Sequence, residues 1–409
     1  MTELQRRLGV PTATAIGVAA MLGAGIFFVW SPAARAAGGG LLIGLAIAAV
    51  VATLNALSSA QLAMTHPVAG GAYSYGRAEL SPTAGFVAGA LFLFGKTASV
   101  AAIALVAGAY LVPGAERWVA VGLVIVLSLV NSSGIRKTAV VSLVIAAIVV
   151  ATLVVTLLVA GVRLEPSDDW GATGGPLGVL QAASLIFFSF AGYARIATLG
   201  EEVRDPRRTL PRAIIAALSL VLVLSTATAV VLLVGLGSDA LAASVSPLAD
   251  LAGPGWDVVV RVGAGIACIG SLLGVLAALS RTALAMARGG DLPRGLATVS
   301  ARTSTPVAAD VVVAAVALVA VLLLTPTLVI GVSACAVLGY YGIANAAAWR
   351  QARPARWLPR VVPALGLLGC AVLALTVPWQ ALAAVVVYLA LVLFVRFVAA
   401  SRRRRRAAA

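Results

Sequence analysis

Met21-Leu22-Gly23-Ala24-Gly25-Ile26-Phe27-Phe28 lies in the middle of an apolar segment, residues 12–33, that is long enough to cross a lipid bilayer. Small residues at that depth invite the helix to open, because Gly costs extra backbone entropy in a helix and leaves its peptide groups unshielded. Backbone opened at mid-membrane must be buried in protein or line a cavity, since lipid offers it no hydrogen bonds. The half-helix that restarts there presents free N–H groups and the positive end of its dipole. The expected occupant is a ligand carboxylate. A plainer reading stands beside it: Gly23 and Gly25 simply let two helices pack closely, as small residues in membrane helices often do.

The composition sets the class. The chain has 409 residues, 62% of them hydrophobic and only 11% charged, with mean hydropathy +1.08. Long uncharged runs recur from end to end, each near the roughly 20 residues that span the hydrocarbon core. This predicts an all-α polytopic membrane protein, whereas a β-barrel would alternate with period two. The first apolar segment outruns the core of a cleavable signal peptide and lacks a clear small-residue cleavage site, so it reads as a retained span. Cys268, Cys335 and Cys370 fall in apolar segments at no metal-site spacing and read as small core residues. His66 is the only histidine. With no nucleophile–base pair and no metal-ligand cluster, neither an enzyme nor a bound metal or cofactor is expected. No ring-forming filter motif suggests a channel.

Twelve spans are expected, at about 12–33, 40–64, 83–112, 117–133, 138–161, 177–199, 211–237, 257–284, 307–324, 327–348, 360–377 and 379–398. An even number puts both termini on one side. Of the 29 Lys and Arg, 23 then fall on the side of the termini and four (Arg35, Arg117, Arg163 and Arg261) on the other, while Lys96 and Arg195 lie within spans. The positive-inside rule places both termini in the cytoplasm and the chain in the cytoplasmic membrane. The net charge of +15 is therefore a topology signal. The Arg402–Arg406 run is expected to meet anionic lipid headgroups. No aromatic interleaving or folded module accompanies it, so no nucleic-acid partner is expected.

The first and sixth spans are each interrupted near the middle, at Gly23-Ala24-Gly25 and at Ser189-Phe190-Ala191-Gly192. Paired interruptions in two halves are the usual pointer to a transporter site built by inverted repeats. Five spans separate them, and an odd offset inverts the second unit. Two more stretches join these: Pro67-Val68-Ala69-Gly70-Gly71-Ala72-Tyr73-Ser74-Tyr75 after the second span, and Ser280-Arg281-Thr282-Ala283-Leu284-Ala285-Met286-Ala287-Arg288 at the end of the eighth. Phe187 to Tyr193 is followed by Glu201-Glu202-Val203-Arg204-Asp205-Pro206. Taken together and in this order, these stretches resemble the amino acid–polyamine–organocation transporter superfamily over nearly the whole chain.

The resemblance implies a leucine-transporter-like fold with two five-helix inverted repeats and two extra helices. Residues 1–161 would form the first repeat, 162–348 the second, and 349–409 the last two helices with a basic tail. It also implies alternating-access transport of an amino acid. Carried over, the N–H groups of Gly23, Ala24, Gly25 and Ile26 would hold the substrate carboxylate. The carbonyls of Met21, Phe188 and Ala191 would hold its ammonium, beside Gly192. Phe188 resembles the aromatic lid, with packing as its plainer role. Tyr75 in the second motif, and Glu201 or Glu202 opposite Arg281, are candidate gate elements; the alternative is an interfacial turn and a solvated charged loop. Ser271 matches part of the family's second cation site, though a full sodium site cannot be assembled.

Lys96 and Arg195 are the sharpest clues, because a cation within a span is costly and marks function by default. With no deep acidic partner in sight, the sequence leaves backbone carbonyls, Thr97 or Ser99, a bound anion, or loss of the proton to compensate Lys96. Lys96 reads as a proton-coupling group, as a partner for an anionic substrate side chain, or as a tie between helices. Two departures from relatives matter. Where some carry an acidic residue after the sixth-helix glycine, this chain has Ala194 then Arg195, which disfavours a cationic substrate. Where some carry a fifth-helix lysine, it has Val149. The expectation is a secondary amino acid transporter, by proton symport or exchange, for neutral or acidic substrates. A non-transporting amino acid sensor and a transporter of cationic amino acids or polyamines are the alternatives.

Overall fold

The computed structural model describes residues 8–67, 70–133, 138–163, 167, 169–197, 199, 202–300, 303 and 305–408. These are helical, with no strand among them, only two isolated bridges. In chain order the helices are α1 (Val10–Met21), α2 (Ala24–Phe28), α3 (Trp30–Ala37), α4 (Leu41–Thr65), α5 (Ala72–Glu79), α6 (Pro82–Leu111), α7 (Glu116–Ser132), α8 (Thr138–Arg163) and α9 (Gly175–Phe190). A 3₁₀ turn over Ala191–Tyr193 leads into α10 (Ala194–Ala197), α11 (Pro206–Ala243), α12 (Pro247–Ala252), α13 (Asp257–Arg288), α14 (Val307–Leu323), α15 (Pro326–Arg350), α16 (Val361–Thr376) and α17 (Trp379–Ala408).

Eight helical stretches are long and apolar enough to cross a membrane: α4, α6, α8, α9 with its 3₁₀ turn, α11, α13, α15 and α17. The chain is a multi-pass membrane protein. Helices α1, α14 and α16 are apolar but shorter. The first expected span is not one helix but three pieces, α1 to α3.

Local chemistry explains many helix starts. Ser81 accepts a hydrogen bond from the Ala84 N–H at 3.1 Å with Pro82 in the first turn of α6, and Thr325 does the same for Leu328 at the start of α15. Burial then sorts the helices. The apolar window of α6 is 89% buried, and α6 packs against α5, α7, α13 and α15, so it is the central post. The window of α17 is only 11% buried, and Val387, Leu391, Phe394 and Phe397 face outward, as they do on a lipid-facing helix.

Two connections hold more structure than expected. The stretch after α4 contains α5, so Tyr73 and Tyr75 are buried on a short helix rather than displayed on an interfacial turn. The 238–256 connection contains the end of α11 and all of α12. Helix α11 kinks at Gly237, whose φ of 76° suits only glycine, and restarts where the Asp169 carboxylate accepts from the Ser238 hydroxyl and the Asp239 N–H, each at 2.9 Å. His66 sits at the C-cap of α4, and its Nε2 meets Glu79 Oε1 at 2.7 Å.

Asp310 is a buried acidic residue at the edge of a span that the sequence reading did not mark. It lies in the first turn of α14 and is 2% exposed. Its carboxylate accepts from Asn131 Nδ2 (2.9 Å), Ser132 Oγ (3.1 Å) and Ser280 Oγ, tying α14 to α7 and α13. These neutral donors replace the water that burial removes. A second acidic tie is Asp291, just beyond α13, which pairs with Arg77 at 2.6 Å and Arg396 at 2.5 Å and so joins α5 to α17.

Candidate functional site

Both expected breaks are present. Helix α1 stops at Met21, Leu22 and Gly23 leave helical geometry (φ −80°, ψ 51° and φ −103°, ψ −140°), and α2 restarts at Ala24. The opening N–H groups of α2 precede any intrahelical acceptor. In the second helix, α9 gives way at Phe190 to the 3₁₀ turn that holds Ala191 and Gly192. The small residues explain both interruptions, since neither segment has a bulky side chain to shield a continuous helix there.

The breaks face one another across two small cavities. One is lined by Met21, Gly23, Ala24 and Gly25 from the first break, by Phe188 and Gly192 from the second, and by Lys96, Ser99, Ile103, Ser271 and Val275. The other is lined by Phe92, Lys96, Ala191, Gly192, Arg195, Gly274, Val275 and Ala278. The two share Ala20, Lys96, Gly192 and Val275. Residues from α1, α2, α6, α9 with its 3₁₀ turn, α10 and α13 therefore line the space at and beside the glycine stretch with which the chain was first read. Ile26 is an exception among the expected residues, being fully buried and outside both linings.

Lys96 projects from the middle of α6 and is 8% exposed. Its ammonium donates to the Ala191 carbonyl at 3.2 Å, and the Tyr341 hydroxyl donates to the same oxygen at 3.2 Å. A backbone carbonyl exposed by the 3₁₀ turn thus carries the cation. Thr97 and Ser99 do not, because their hydroxyls bond to the Leu93 and Gly95 carbonyls of their own helix, and Ser99 also meets Ser333 Oγ at 2.6 Å. Arg195, also 8% exposed, lines the second cavity with Lys96. Ser271 Oγ donates to the Ala20 carbonyl at 3.5 Å beside the first break. Ser189 Oγ, next to Gly25, is buried with no hydrogen-bond partner among the described residues.

The glycines also pack, so the plainer reading holds at the same positions. A Cβ on Gly25 would lie 2.6 Å from Ser189 Cα, one on Gly192 would lie 2.5 Å from the Ala20 carbonyl oxygen, and one on Gly23 would lie 2.5 Å from Ser271 Cβ. None of these positions admits a side chain without movement of its neighbour. Close approach and open backbone are two uses of the same residues.

At the end of the bundle that holds α5, Glu202 and Arg281 pair at 2.8 Å, and Leu8 bridges Val203 in parallel alongside. The expected charge pair is therefore made by Glu202, while Glu201 lies outside the described residues. Tyr75, the other expected gate residue, is fully buried, 6.3 Å ring to ring from His66, and burial pushes its hydroxyl well above the usual range. It lines neither cavity. Tyr340, one helix position from Tyr341, receives the Ala72 N–H at 2.9 Å and so anchors α5.

Residues the sequence reading passed over are Ala20, Phe92, Ile103, Gly274, Val275 and Ala278, which line the cavities without polar chemistry to mark them. The only available signal was their helical spacing against the known breaks.

Comparison with known proteins accords with this architecture. The family described as amino acid permease matches residues 8–404. An uncharacterized transporter of Mycobacterium tuberculosis strain H37Rv is 47% identical over 93% of this chain and 88% of its own. A branched-chain amino acid permease of Bacillus subtilis is 27% identical over 74% of this chain and 72% of its own. A chloroplastic cationic amino acid transporter of Arabidopsis thaliana is 26% identical, covering 75% of this chain and 59% of its own. Opened backbone at two facing breaks, within a helical membrane protein that matches along nearly its full length, leads to one statement: the chain belongs to the amino acid permease family.

Proposed function

We propose that the chain is a secondary active amino acid transporter that works by alternating access, either as a proton symporter or as an exchanger, for neutral or acidic amino acids. The observation that carries the reading is the single cavity lined from both helix breaks by Gly23, Ala24 and Gly25 on one side and Phe188 and Gly192 on the other. The α2 N–H groups would take the substrate carboxylate. The carbonyls of Met21, Phe188 and Ala191 would take its ammonium, in line with the opposite ends of two half-helix dipoles. Phe188 would close over the substrate, and the Glu202–Arg281 pair would seal the cytoplasmic mouth.

In this reading the helices form two inverted five-helix repeats, residues 1–161 and 162–348, followed by two peripheral helices in 349–409. With the basic residues gathered at the end of the bundle that carries α5 and the end of α17, both termini face the cytoplasm and the protein resides in the cytoplasmic membrane. Lys96 and Ser271 are the candidate coupling groups, the first because its ammonium donates to the Ala191 carbonyl and lines both cavities, the second because it touches the unwound end of α1. Uptake of labelled amino acids into proteoliposomes, with and without pH and sodium gradients, tests the reading. Transport of at least one amino acid is expected. Absence of flux for all of them, with binding retained, would favour the sensor alternative; absence of both would end the proposal.

A further inference from the structure

We infer that Asp310 is a proton-binding site, and that its proton sets the shape of α13 between the cavities and Arg281, so that pH at that end of the bundle regulates transport. The regulation rests on the transporter reading; the proton site does not.

What marks Asp310 is the set of hydrogen bonds around it. Its carboxylate accepts from Asn131 Nδ2 (2.9 Å) and Ser132 Oγ (3.1 Å) of α7 and from Ser280 Oγ of α13. Ser280 has a second acceptor within reach, the Leu276 carbonyl of its own helix at 3.0 Å, and its Oγ also lies 3.3 Å from Asn131 Nδ2. A serine hydroxyl carries one hydrogen, so it serves these acceptors in turn. With the carboxylate ionised, that hydrogen points to Asp310. With a proton on Oδ1, Asp310 donates to Ser280 Oγ, and the serine hydrogen turns to Leu276. Asn131 keeps one hydrogen for Oδ1 and one for Ser280 Oγ, and Ser132 keeps Oδ2. Every hydrogen of the set has an acceptor in both states, so the buried carboxyl can change charge without orphaning a donor. Asn131 and Ser132 are half-buried and Ser133 is exposed, so the proton comes from water at that surface and returns to it.

The same hydrogen acts on α13. A serine hydroxyl bonded to the carbonyl four residues back bends its helix. The turn from Leu276 to Ser280 follows Val275, which lines both cavities, and precedes Arg281, which pairs with Glu202 at 2.8 Å. The ionised carboxylate draws charge-assisted bonds from α7 and α13 and holds them to α14. Protonation weakens those bonds and bends α13 beside the Glu202–Arg281 pair. Acid is therefore expected to loosen that mouth. The segments packed against α14 are α6, α7, α13 and the 3₁₀ turn Arg294–Ala297. Their charged or titratable groups among the described residues are Lys96 and Tyr110, Glu116 and Arg117, Asp257, Arg261, Cys268, Arg281 and Arg288, and Arg294. Arg117 reaches the Leu322 carbonyl at the opposite end of α14, and Arg261 lies 3.6 Å from Asp257. The bonds of Asp310 run instead to the three neutral side chains named.

The test has two arms on the full-length protein. In proteoliposomes, counterflow of labelled L-leucine, L-alanine, L-glutamate and L-arginine is measured at equal pH on both sides, from about pH 5 to about pH 8, a range open to buried carboxyls. Equal pH removes any proton gradient. The wild-type rate is expected to rise about tenfold on acidification, following the protonated fraction, and that of Asp310→Asn, which takes up no proton, to change less than about twofold. An Asp310→Asn profile parallel to that of the wild type, or a wild-type rate that does not rise, overturns the regulation and leaves the transporter reading standing. In the second arm, infrared difference spectra on acidification are expected to show a protonated-carboxyl band that Asp310→Asn lacks; the same band in that variant overturns the site. Should Asp310→Asn yield no folded protein, Ser280→Ala is expected to move the midpoint of the band by about one pH unit, the worth of one hydrogen bond to a charged group, and an unmoved band overturns the site. If no amino acid moves, the regulation falls with the transporter reading, and the infrared arm alone decides the site.

Discussion

Replacing Gly23 by Ala adds one methyl carbon, and its surroundings set the outcome. That carbon would stand 2.5 Å from Ser271 Cβ with Ser271 Oγ nearer still, whereas the next atom, the Ala267 carbonyl oxygen, is 3.9 Å away. Apolar carbons sit comfortably about 3.5–4.0 Å apart, so α1–α2 and α13 must separate by about 1 Å. Overpacking of this kind costs about 1–3 kcal/mol. Ser271→Gly removes both offending atoms and by itself costs about 0.5 kcal/mol of helix preference. The double variant should therefore be more stable than the sum of the two single effects by about 1–2 kcal/mol, well outside the roughly 0.5 kcal/mol scatter of independent sites. Gly25→Ala supplies the contrast. Ser189→Gly would clear its Cβ and Oγ but leave Ser189 Cα at 2.6 Å, so no rescue is expected there. Gly274→Ala, with nothing within 4 Å of the new atom, should be neutral or slightly stabilising. Thermal and denaturant unfolding in detergent, read for the two cycles side by side, makes the measurement. Additive effects of Gly23→Ala and Ser271→Gly would refute the packing argument for the first break.

Three further outcomes are expected. Glu202→Gln or Arg281→Gln should change stability by less than about 1 kcal/mol, because the pair is partly exposed, yet should raise labelling of a cavity-facing cysteine from the Arg281 end; unchanged labelling removes the pair from gating. Asp310→Asn should destabilise by about 2 kcal/mol, since three donors lose a charged acceptor and an amide N–H₂ replaces the oxygen that Ser132 meets; a wild-type unfolding midpoint would contradict this. Asp169 has its carboxyl held below the usual range by the Asp239 N–H and then the Ser238 hydroxyl. The cap it provides is complete above the unfolded carboxyl value of about 3.9 and is lost as pH falls from there through the lower folded value. Asp169→Ala should flatten the acid limb of the stability profile, and an unaltered limb would exclude the cap.

Both helix breaks were legible because Gly23-Ala24-Gly25 and Ala191-Gly192 interrupt apolar runs at mid-span, where small residues have few other uses. The long spans were legible from hydropathy alone. Helix α5 was not, because Ala72–Glu79 mixes Gly, Ser, Tyr and Arg in a pattern that reads equally as a turn. Asp310 escaped because one carboxylate at the edge of the apolar run Val307–Leu323 barely lowers its hydropathy, and its donors come from helices far along the chain. The partner of Lys96 could be named only as a kind of group. It is a backbone carbonyl 95 residues away, and backbone atoms carry no sequence signature. That Glu202 pairs with Arg281 is a matter of single positions beyond the end of a broken helix, which hydrophobic pattern does not resolve.

The contacts at Gly25 and Gly192 run in opposite directions. The first broken helix offers a notch that takes Ser189 of the second, and the second offers a notch at Gly192 that takes Ala20 of the first. Two helices dovetailed from both sides cannot slip along one another without a collision at one joint or the other. In the proposed alternating-access reading, the two breaks are expected to move together. The separation between the N–H groups of α2 and the Ala191 carbonyl is then a fixed gauge, cut in main chain, that side-chain changes elsewhere in the cavity leave untouched.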